Sequence, residues 1–565
     1  MLSEQDLPLQ RLYHWERERA DAIYLTQPQG GGAGGGAVRD LSWKATMDEV
    51  RRAAAHLRAQ DWPAGSRVAI LAKNSAHWLM ADFAIWMAGH VSVPIYPTLA
   101  AGSIRQILEH AETKAVFIGK LDGWEAMAPG VPDALPRIRL PLAPPRLAAE
   151  PAGEAWDDII ARVAPLAESP VRPADDLATI IYTSGTTGVP KGAMHSFANI
   201  AGCAKVMGEV FGFGRDERVL SYLPLAHVAE RIGVEANSLR QGFRVYFAES
   251  LDTFVTDLQR ARPTVFFSVP RLWVKFQQGV FAKMPKRKLD RLFALPIVGR
   301  IVKRKIVRQL GLDAVRFAAT GAAPLPAEVI SWYRSLGLDL LDVYGMTENF
   351  GLSHASRRET MRVGYVGSPW PQVECRLSAQ GEVLVRAPWL MQGYFRDAER
   401  TAEAIDAEGW LHTGDVGETD ERGRLKITGR AKEQFKTSKG KYVAPAPIEN
   451  RLGAHPRIEA VCVAGADLAQ PFALVMLPAE LSAAANADAA LRSELVDELR
   501  SLRDAVNARL DPHERLDFLA VVREQWTIDN GFLTPTLKIK RAQIENRYGP
   551  EVAQWQARRE PVVWS

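Results

Sequence analysis

Cysteine is scarce in this sequence. Only Cys203, Cys375 and Cys462 occur among 565 residues, and they are widely spaced and odd in number. This excludes a disulfide framework and a cysteine-based metal site, and it is typical of a protein from a reducing compartment. We therefore expect a cytoplasmic location.

Long apolar runs and strong charge imbalance are also absent. No stretch of about 18 apolar residues occurs, so we expect no membrane-spanning helix. The first residues, MLSEQDLPLQRLYHWERERAD, contain early acids and no apolar core, which does not match a secretory signal. A formal net charge of +4 is too small for a chain of this length to indicate nucleic-acid binding. The length predicts two or more domains.

What is present is an alternation of helix and strand patterns. TMDEVRRAAAHLRAQ predicts a helix with Thr46 as its cap, and RVAILA (67–72) and KAVFIG (114–119) predict buried strands. This alternation favours layered α/β structure with mostly parallel sheets. From about residue 423 the pattern changes to a smaller α+β domain. We predict a large domain over 1–429 and a small one over 430–565, with a hinge after Arg430.

A loop of small residues follows a buried strand at 180–192, with the sequence IIYTSGTTGVPKG. Glycines allow backbone N–H groups to approach an anion, and hydroxyls and a lysine add further donors. Pro190 before the lysine and Gly192 after it exclude the Walker spacing. We predict a nucleotide-phosphate site here, with a flexible surface loop as the alternative, and we expect a helix to begin after Lys191. The predicted contacts are Thr183, Ser184, Gly185, Thr186, Thr187, Gly188 and Lys191.

A second loop leaves a buried strand in LLDVYGMTEN (340–349). Ligands of open α/β sheets lie beyond the carboxyl ends of strands, where both loops are expected. Thr347 is able to hydrogen-bond a phosphate oxygen, and Glu348 offers one carboxylate to Mg²⁺, which keeps most of its waters and bridges phosphates. The alternative is an ordinary helix N-terminus with an acid in its first turn.

These two loops, with TGAAPLP (320–326) and GWLHTGDVG (409–417), resemble the adenylate-forming superfamily of acyl-CoA synthetases, adenylation domains and luciferases. The resemblance covers nearly the whole chain. SYLPLAHVAER (221–231), GRAKEQFKTSKGKYVAP (429–445) and LTPTLKIKR (533–541) resemble the long-chain fatty-acyl-CoA synthetase branch. One departure is ITGRAK at the hinge, where many relatives have Asp-Arg, although Arg430 is retained. The resemblance implies a large N-terminal domain with a β-barrel-like part and a small, mobile α+β C-terminal domain.

Residue roles are implied by the same matches. The first loop is expected to hold the β- and γ-phosphates of ATP, Asp415 and Arg430 the ribose, and Lys432 the hinge. His227 is implied beside the acyl carboxylate, although a lone histidine after an apolar run is more often a packed core residue. Lys538 is implied as the catalytic lysine, while a solvated charge is the simpler interpretation of the segment that also holds Lys540. The catalytic set is His227, Thr347, Glu348 and Lys538. The adenine-side set is Gly321, Ala322, Ala323 and Tyr344, and Gly345 is a further predicted cofactor-binding residue.

The implied reaction converts a carboxylic acid and ATP into an acyl-adenylate and pyrophosphate, with Mg²⁺ bound by Glu348. Transfer of the acyl group to coenzyme A would follow, and the branch resemblance indicates a medium- or long-chain fatty acid. Two alternatives stay open. One is an acyl-AMP ligase that loads a carrier protein, and the other is a catalytically silent nucleotide-binding protein.

Two further segments bear on the acyl substrate. VFFSVPRLW (265–273) is a candidate wall for an acyl tunnel, and core packing explains it equally well. The segment 283–308 contains ten Lys/Arg against Asp290 alone, with apolar residues between the basic clusters. This pattern suits anionic lipid headgroups at the inner face of a membrane, and a solvated pair of charged helices is the equal alternative.

Overall fold

The computed structural model describes residues 2–30, 36–149, 153–183, 190–323, 325–534 and 538–565. It confirms the α/β class, with a large N-terminal domain followed by a smaller C-terminal one. The strands are β1 Ile23–Pro28, β2 Val38–Ser42, β3 Arg67–Leu71, β4 Val91–Ile95, β5 Ala115–Ile118, β6 Arg137–Arg139, β7 Gly153–Ala155, β8 Leu177–Thr183, β9 Lys191–Ser196, β10 Arg218–Ser221, β11 Arg244–Phe247, β12 Val265–Ser268, β13 Phe317–Gly321, β14 Leu340–Tyr344, β15 His354–Ala355, β16 Ser368–Pro369, β17 Glu374–Leu377, β18 Glu382–Arg386, β19 Gly393–Tyr394, β20 Leu411–Thr419, β21 Leu425–Arg430, β22 Phe435–Lys436, β23 Tyr442–Val443, β24 Ala460–Ala464, β25 Phe472–Met476, β26 Leu519–Val522 and β27 Val562–Trp564.

The helices cover the sheets and connect the parallel strands. They are α1 Pro8–Glu18, α2 Trp43–Arg58, α3 Ala76–Met87, α4 Ala101–His110, α5 Trp124–Met127, α6 Trp156–Arg162, α7 Phe197–Phe211, α8 Val228–Glu230, α9 Asn237–Gln241, α10 Phe254–Ala261, α11 Pro270–Lys283, α12 Lys286–Phe293, α13 Pro296–Gln309, α14 Ala327–Ser335, α15 Ala398–Ala404, α16 Pro445–Gly453, α17 Ala479–Ala487, α18 Ala489–Asn507, α19 Arg541–Tyr548 and α20 Val552–Arg558.

The large domain contains four sheets in the described part of the chain. An eight-stranded sheet has the order β19-β9-β8-β4-β3-β5-β6-β7, and a five-stranded sheet has the order β12-β13-β14-β15-β16. The other two are β10-β11-β1-β2 and the antiparallel β17-β18-β20-β21. Within the described residues none of these sheets closes on itself, so the predicted β-barrel-like part is wrong. β17-β18-β20-β21 is an open sheet, and the chain passes from its last strand, β21, into the C-terminal domain.

The parallel strands place the site. β3, β4, β5 and β8 run parallel in the larger sheet, and β12, β13 and β14 run parallel in the second. The loops that follow β8, β13 and β14 contain most of the predicted nucleotide residues. α3 lies entirely in the core, because its apolar residues surround the helix on all sides.

Two local predictions are wrong. The segment after Lys191 is strand β9, not a helix, and it pairs antiparallel with β8 in the register Tyr182↔Gly192. Glycine permits this pairing, because a Cβ at Gly192 would lie 2.7 Å from Ile180 Cγ2. Helix α2 is capped by Ser42, whose Oγ accepts a hydrogen bond from Ala45 N at 3.1 Å, and Thr46 lies inside the first turn.

The C-terminal domain is built on the mixed sheet β24-β25-β26-β27 and the two-stranded β22-β23. Helices α16 and α18 pack on the larger sheet, and Ile448, Leu452, Leu495 and Leu499 are fully buried between these elements. This core is separate from those of the large domain. The boundary at residues 429–430 stays a prediction.

Candidate active site

The glycine-rich loop connects β8 to β9. Ser184, Gly185, Thr186, Thr187 and Gly188 lie outside the described residues. The residues at the two ends of the loop, Thr183 and Lys191, are paired across the two strands. The pairing brings both predicted donors to one end of the eight-stranded sheet, the end at which β8 terminates.

Lys191 belongs to a small polar cluster with Tyr394 and Glu348. The Nζ atom of Lys191 lies 5.1 Å from the ring centroid of Tyr394, and the Tyr394 hydroxyl donates a hydrogen bond to Glu348 Oε1 at 2.7 Å. Burial, followed by the charge of Glu348, raises the pKa of Tyr394, so the phenol stays protonated and donates. Tyr394 was missed by the sequence analysis. Its signal is the segment GYF at 393–395, which forms edge strand β19 against β9.

The loop after β14 is a tight turn. A Cβ at Gly345 would lie 2.1 Å from the carbonyl oxygen of Gly351, so only glycine fits there. Thr347 and Glu348 follow on a single 3₁₀ turn, Thr347–Asn349. His195 Nε2 donates to the carbonyl oxygen of Thr347 at 2.8 Å, and burial lowers the pKa of His195 to about 4, so the ring is neutral.

Glu348 is the one predicted metal ligand. Among the described residues no group of three or more His, Cys, Asp or Glu side chains is arranged to hold a metal ion. One oxygen of Glu348 accepts from Tyr394, which leaves the other available to a cation. A single carboxylate suits Mg²⁺ bound mainly by phosphates and water, and it does not suit a metal held by protein ligands alone.

The end of β13 lies beside the end of β14. These strands are parallel with the register Gly321↔Val343, and a Cβ at Gly321 would lie 2.9 Å from Val343 O. Ala322 follows with φ +68°, an uncommon conformation for a residue with a side chain. Ala322 and Ala323 are exposed and Tyr344 is half-buried. The structure therefore brings the adenine-side residues together on one rim.

Asp415 links this rim to strand β21. Its Oδ2 atom accepts a hydrogen bond from the Tyr344 hydroxyl at 2.7 Å, and its Oδ1 atom lies 3.0 Å from Arg430 Nε. Asp415 and Arg430 are also register partners of β20 and β21. Burial disfavours the charge of Arg430, but Asp415 and the other nearby acids outweigh it and raise the pKa of Arg430. Three residues predicted from separate motifs thus meet.

His227 lies at the start of the short helix α8. Its Nδ1 atom accepts a hydrogen bond from Ala229 N at 3.1 Å, and its ring lies edge-on to Tyr96 at 6.4 Å. Burial first, and the positive charge of Lys538 second, lower the pKa of His227 to about 4. A neutral imidazole has one N–H, and with Nδ1 accepting, that donor is Nε2.

The segment around His227 is held by a buried carboxyl group. Glu230 Oε1 accepts from Ser221 Oγ at 2.8 Å, Tyr222 N at 2.8 Å and Asn74 Nδ2 at 3.2 Å. Burial raises the pKa of Glu230 to about 8. These bonds tie both sides of the His227 turn to the loop after β3.

A π-helix, Arg231–Ala236, follows α8 directly. The guanidinium of Arg231 is fully buried there, with Nη2 2.7 Å from Asp82 Oδ2 and 3.2 Å from Glu235 Oε2. Single turns of π-helix often occur beside functional sites. This buried ion group anchors the turn against α3.

Lys538 brings the C-terminal domain to the site. Its positive charge acts on His227 and Arg430, and the acids Asp415 and Glu433 act on it in turn. Desolvation and the positive charge of Arg430 lower the pKa of Lys538, against the opposing acids. Lys432 is exposed on the 3₁₀ turn Ala431–Glu433 between β21 and β22. An ion pair between Arg271 of α11 and Glu459, just before β24, also joins the domains.

The candidate tunnel wall at 265–273 is largely core. Trp273 is fully buried, with its ring 5.3 Å from Phe266 and 4.8 Å from Tyr333. Phe266 is 1% exposed. These side chains belong to the hydrophobic core beside the five-stranded sheet. Core packing is therefore favoured over a tunnel wall as the role of this segment.

The basic segment forms the helical hairpin of α12 and α13. Four aliphatic side chains at and after its turn are exposed, namely Leu295, Ile297, Val298 and Ile301, with Ile297 76% exposed. Basic residues flank them on both helices. No helix within the described ranges has the length and apolar character needed to cross a membrane.

The sequence matches known family models and curated proteins over most of its length. The AMP-binding enzyme family matches residues 12–395, and the C-terminal domain of AMP-binding enzymes matches residues 432–560. The long-chain-fatty-acid–CoA ligase FadD15 of Mycobacterium bovis is 31% identical over 592 aligned positions, 95% of each chain. Long-chain-fatty-acid–CoA ligase 1 of Homo sapiens is 30% identical over 86% of this chain and 77% of its own.

Solved structures share the fold. The adenylation domain of carboxylic acid reductase from Segniliparus rugosus, in complex with AMP and a carboxylic acid, superposes with a TM-score of 0.79 at 23% identity, covering 98% of this chain and 94% of its own. The anthranilate CoA ligase AuaEII with anthranoyl-AMP gives 0.78 at 21% identity, covering 98% of this chain and all of its own.

Proposed function

Since the chain belongs to the AMP-binding enzyme family, we propose that it is an acid–thiol ligase that activates a medium- or long-chain fatty acid with ATP and transfers it to coenzyme A. The observation that carries this proposal is the position of Lys538 in the C-terminal domain, from which its charge acts on His227 and Arg430 and is acted on by Asp415. The names of the relatives support a fatty acid as the substrate.

The first step joins two anions, a carboxylate and a triphosphate. They repel each other, so the protein must position them in line and stabilise the charge that develops on departing pyrophosphate. Lys191, which lies on β9, and Lys538, which lies in the C-terminal domain, would both supply positive charge to this site. Mg²⁺ held by Glu348 would neutralise phosphate charge.

The nucleotide end is held by the contacts on the rim. Asp415 is expected to accept hydrogen bonds from the ribose hydroxyls in addition to those from Tyr344 and Arg430, because a carboxylate has about four acceptor positions. Gly321, Ala322 and Ala323 present backbone close to the adenine. His227 is expected to donate from Nε2 to the acyl carboxylate.

The second step needs a path for a thiol to the same carbonyl. We propose that residues 433–565 rotate about Lys432, which withdraws Lys538 and brings the 436–445 loop to the site. The ion pair between Arg271 and Glu459 must break in this rotation, because its two residues lie in different domains. Coenzyme A then attacks the acyl carbon, and AMP leaves.

The test separates the two half-reactions. Lys538→Ala should lose adenylation, measured as pyrophosphate release, far more than it loses thioester formation from supplied acyl-adenylate. Lys540→Ala is the matched control and should retain both. Equal losses in both half-reactions would contradict the assignment of Lys538.

The acyl acceptor and the acid need their own measurements. Thioester formation with free coenzyme A supports the ligase, whereas transfer only to a carrier protein would favour an acyl-AMP ligase. Pyrophosphate release across short, medium, long and aromatic acids identifies the substrate class. A chain that releases none with any acid would be a nucleotide-binding protein without activity.

We also propose that the α12–α13 hairpin contacts an anionic membrane surface. Exposed Leu295, Ile297, Val298 and Ile301 offer apolar insertion, and the surrounding basic residues complement lipid phosphates. Purified protein should bind vesicles that contain phosphatidylglycerol at low salt, and it should not bind vesicles made only of zwitterionic lipids.

Two sets of substitutions test this surface. Neutralising Lys286, Arg287, Lys303 and Arg304 should abolish the binding, and Ile297→Ser with Ile301→Ser should weaken it at unchanged charge. No binding by the intact protein refutes the proposal.

A further inference from the structure

Arg541 lies three residues after Lys538 and begins helix α19. Its side chain is 11% exposed, although arginine is rarely buried without a partner. Nη1 donates to the carbonyl oxygen of Val463 at 2.6 Å, and Nη2 lies 2.8 Å from Glu449 Oε1. The planar guanidinium is therefore fixed at two points, one on β24 and one on α16.

The acid that receives Arg541 is itself held in place. Glu449 Oε1 accepts a hydrogen bond from Val463 N at 2.7 Å, so Arg541, Glu449 and Val463 form a closed ring of contacts. A second acid, Glu433, lies 3.7 Å from Arg541 Nη2. Glu433 directly follows the predicted hinge residue Lys432. The group thus connects the start of α19 with the hinge.

The backbone at Lys538 is fixed from the other side. Lys538 N donates to Thr534 Oγ1 at 3.0 Å, and Thr534 N donates to Lys538 O at 2.8 Å. Lys540 N donates to Phe532 O at 2.7 Å. The backbone of Lys538 is therefore paired with Thr534, and the chain on its C-terminal side is held by the bond at Lys540 and by the side chain of Arg541.

We propose that Arg541 is a positioning residue for Lys538, held in this role by Glu449 and Glu433. The proposal rests on the proposed function, in which Lys538 supplies positive charge that stabilises the departing pyrophosphate. A lysine on a flexible four-carbon stem is aimed by its backbone, and a misplacement of about 1 Å in such a group costs about 100-fold in rate. Arg541 itself contacts Glu449 and Val463 of the C-terminal domain.

The predicted signature is a split between the half-reactions. Arg541→Met should lower the kcat of adenylation at least about tenfold and leave thioester formation from supplied acyl-adenylate within about twofold, because Lys538 acts only in the first. Arg541→Lys, which keeps the charge and loses the two-point contact, should show a smaller loss in adenylation alone. Arg547→Met on the exposed side of the same helix is the matched control and should change neither.

A double variant distinguishes positioning from general damage to the domain. If Arg541 acts through Lys538, then Lys538→Ala with Arg541→Met should be no slower in adenylation than Lys538→Ala alone. The proposal is overturned if the double variant loses adenylation by the product of the two single-variant losses. It is also overturned if Arg541→Lys loses equally in both half-reactions. If Arg541→Met does not fold, the same comparison of the two half-reactions is made with Arg541→Lys. A variant that loses activity in neither half-reaction also overturns the proposal. If Lys538→Ala instead retains full adenylation activity, the proposed catalytic role of Lys538 is contradicted, and with it the proposed function.

Discussion

Replacement of Glu230 by glutamine should change how stability depends on pH. Glu230 is 3% exposed and its carboxyl oxygen accepts three hydrogen bonds, from Ser221, Tyr222 and Asn74. Glutamine has the same shape, keeps an oxygen for these donors and does not titrate. Glu230→Gln therefore removes the proton equilibrium with little change in packing.

The magnitude follows from the pKa of the buried group. Burial raises the pKa of Glu230 from 4.5 to about 8, so the folded protein holds a proton that the unfolded chain has released. This contribution to stability is complete below pH 4.5 and is lost as the pH rises toward 8. At about 1.4 kcal/mol for each pH unit, the loss amounts to about 5 kcal/mol.

The assay is urea unfolding followed by tryptophan fluorescence at intervals from pH 5 to pH 9. The wild-type free energy of unfolding, relative to that of Glu230→Gln, should fall steadily up to about pH 8 and then level off. Glu403→Gln, at an exposed position on α15, is the control and should follow the wild type. Parallel curves for the wild type and Glu230→Gln would refute the assignment of a buried, protonated carboxyl group.

Two further predictions concern the nucleotide and the domains. Asp415→Ala should raise the KM for ATP about tenfold or more in adenylation assays, because it removes the acceptor of Tyr344 and Arg430 and the expected ribose contact; an unchanged KM would contradict that role. Arg271→Glu should disfavour the present domain orientation and slow adenylation, and the added change Glu459→Arg should restore it by re-forming the ion pair; no rescue by the double variant would contradict this.

Sequence reasoning anticipated the residues that share an edge of the site. Tyr344, Asp415 and Arg430 come from three separate motifs, and the structure joins them through two contacts of 2.7 and 3.0 Å. The strands that end at the site were predictable because each is a short apolar run followed by small or polar residues. Such signals are local, so one sequence suffices to find them.

What failed depended on tertiary contacts. The strand after Lys191 forms because β8 offers it a partner, and the single glycine in it, Gly192, is too weak a signal to exclude a helix. Tyr394 meets Glu348 because β19 pairs with β9 at the edge of the sheet, and the segment GYF at 393–395 does not by itself identify that partner. The choice of Ser42 over Thr46 as a cap is a shift of one turn between two residue types that both cap helices, of which serine is the stronger.

The π-helix Arg231–Ala236 determines what a one-residue deletion in this region would do to the orientation of His227. It accommodates more residues per turn than the α-helix, in which each residue advances about 100°. A homologue that lost one residue there would restore ordinary winding and rotate the imidazole of His227 by about that angle relative to Asn237. Such a gap in an alignment should therefore mark an enzyme that lacks the contact we propose between His227 and the acyl carboxylate.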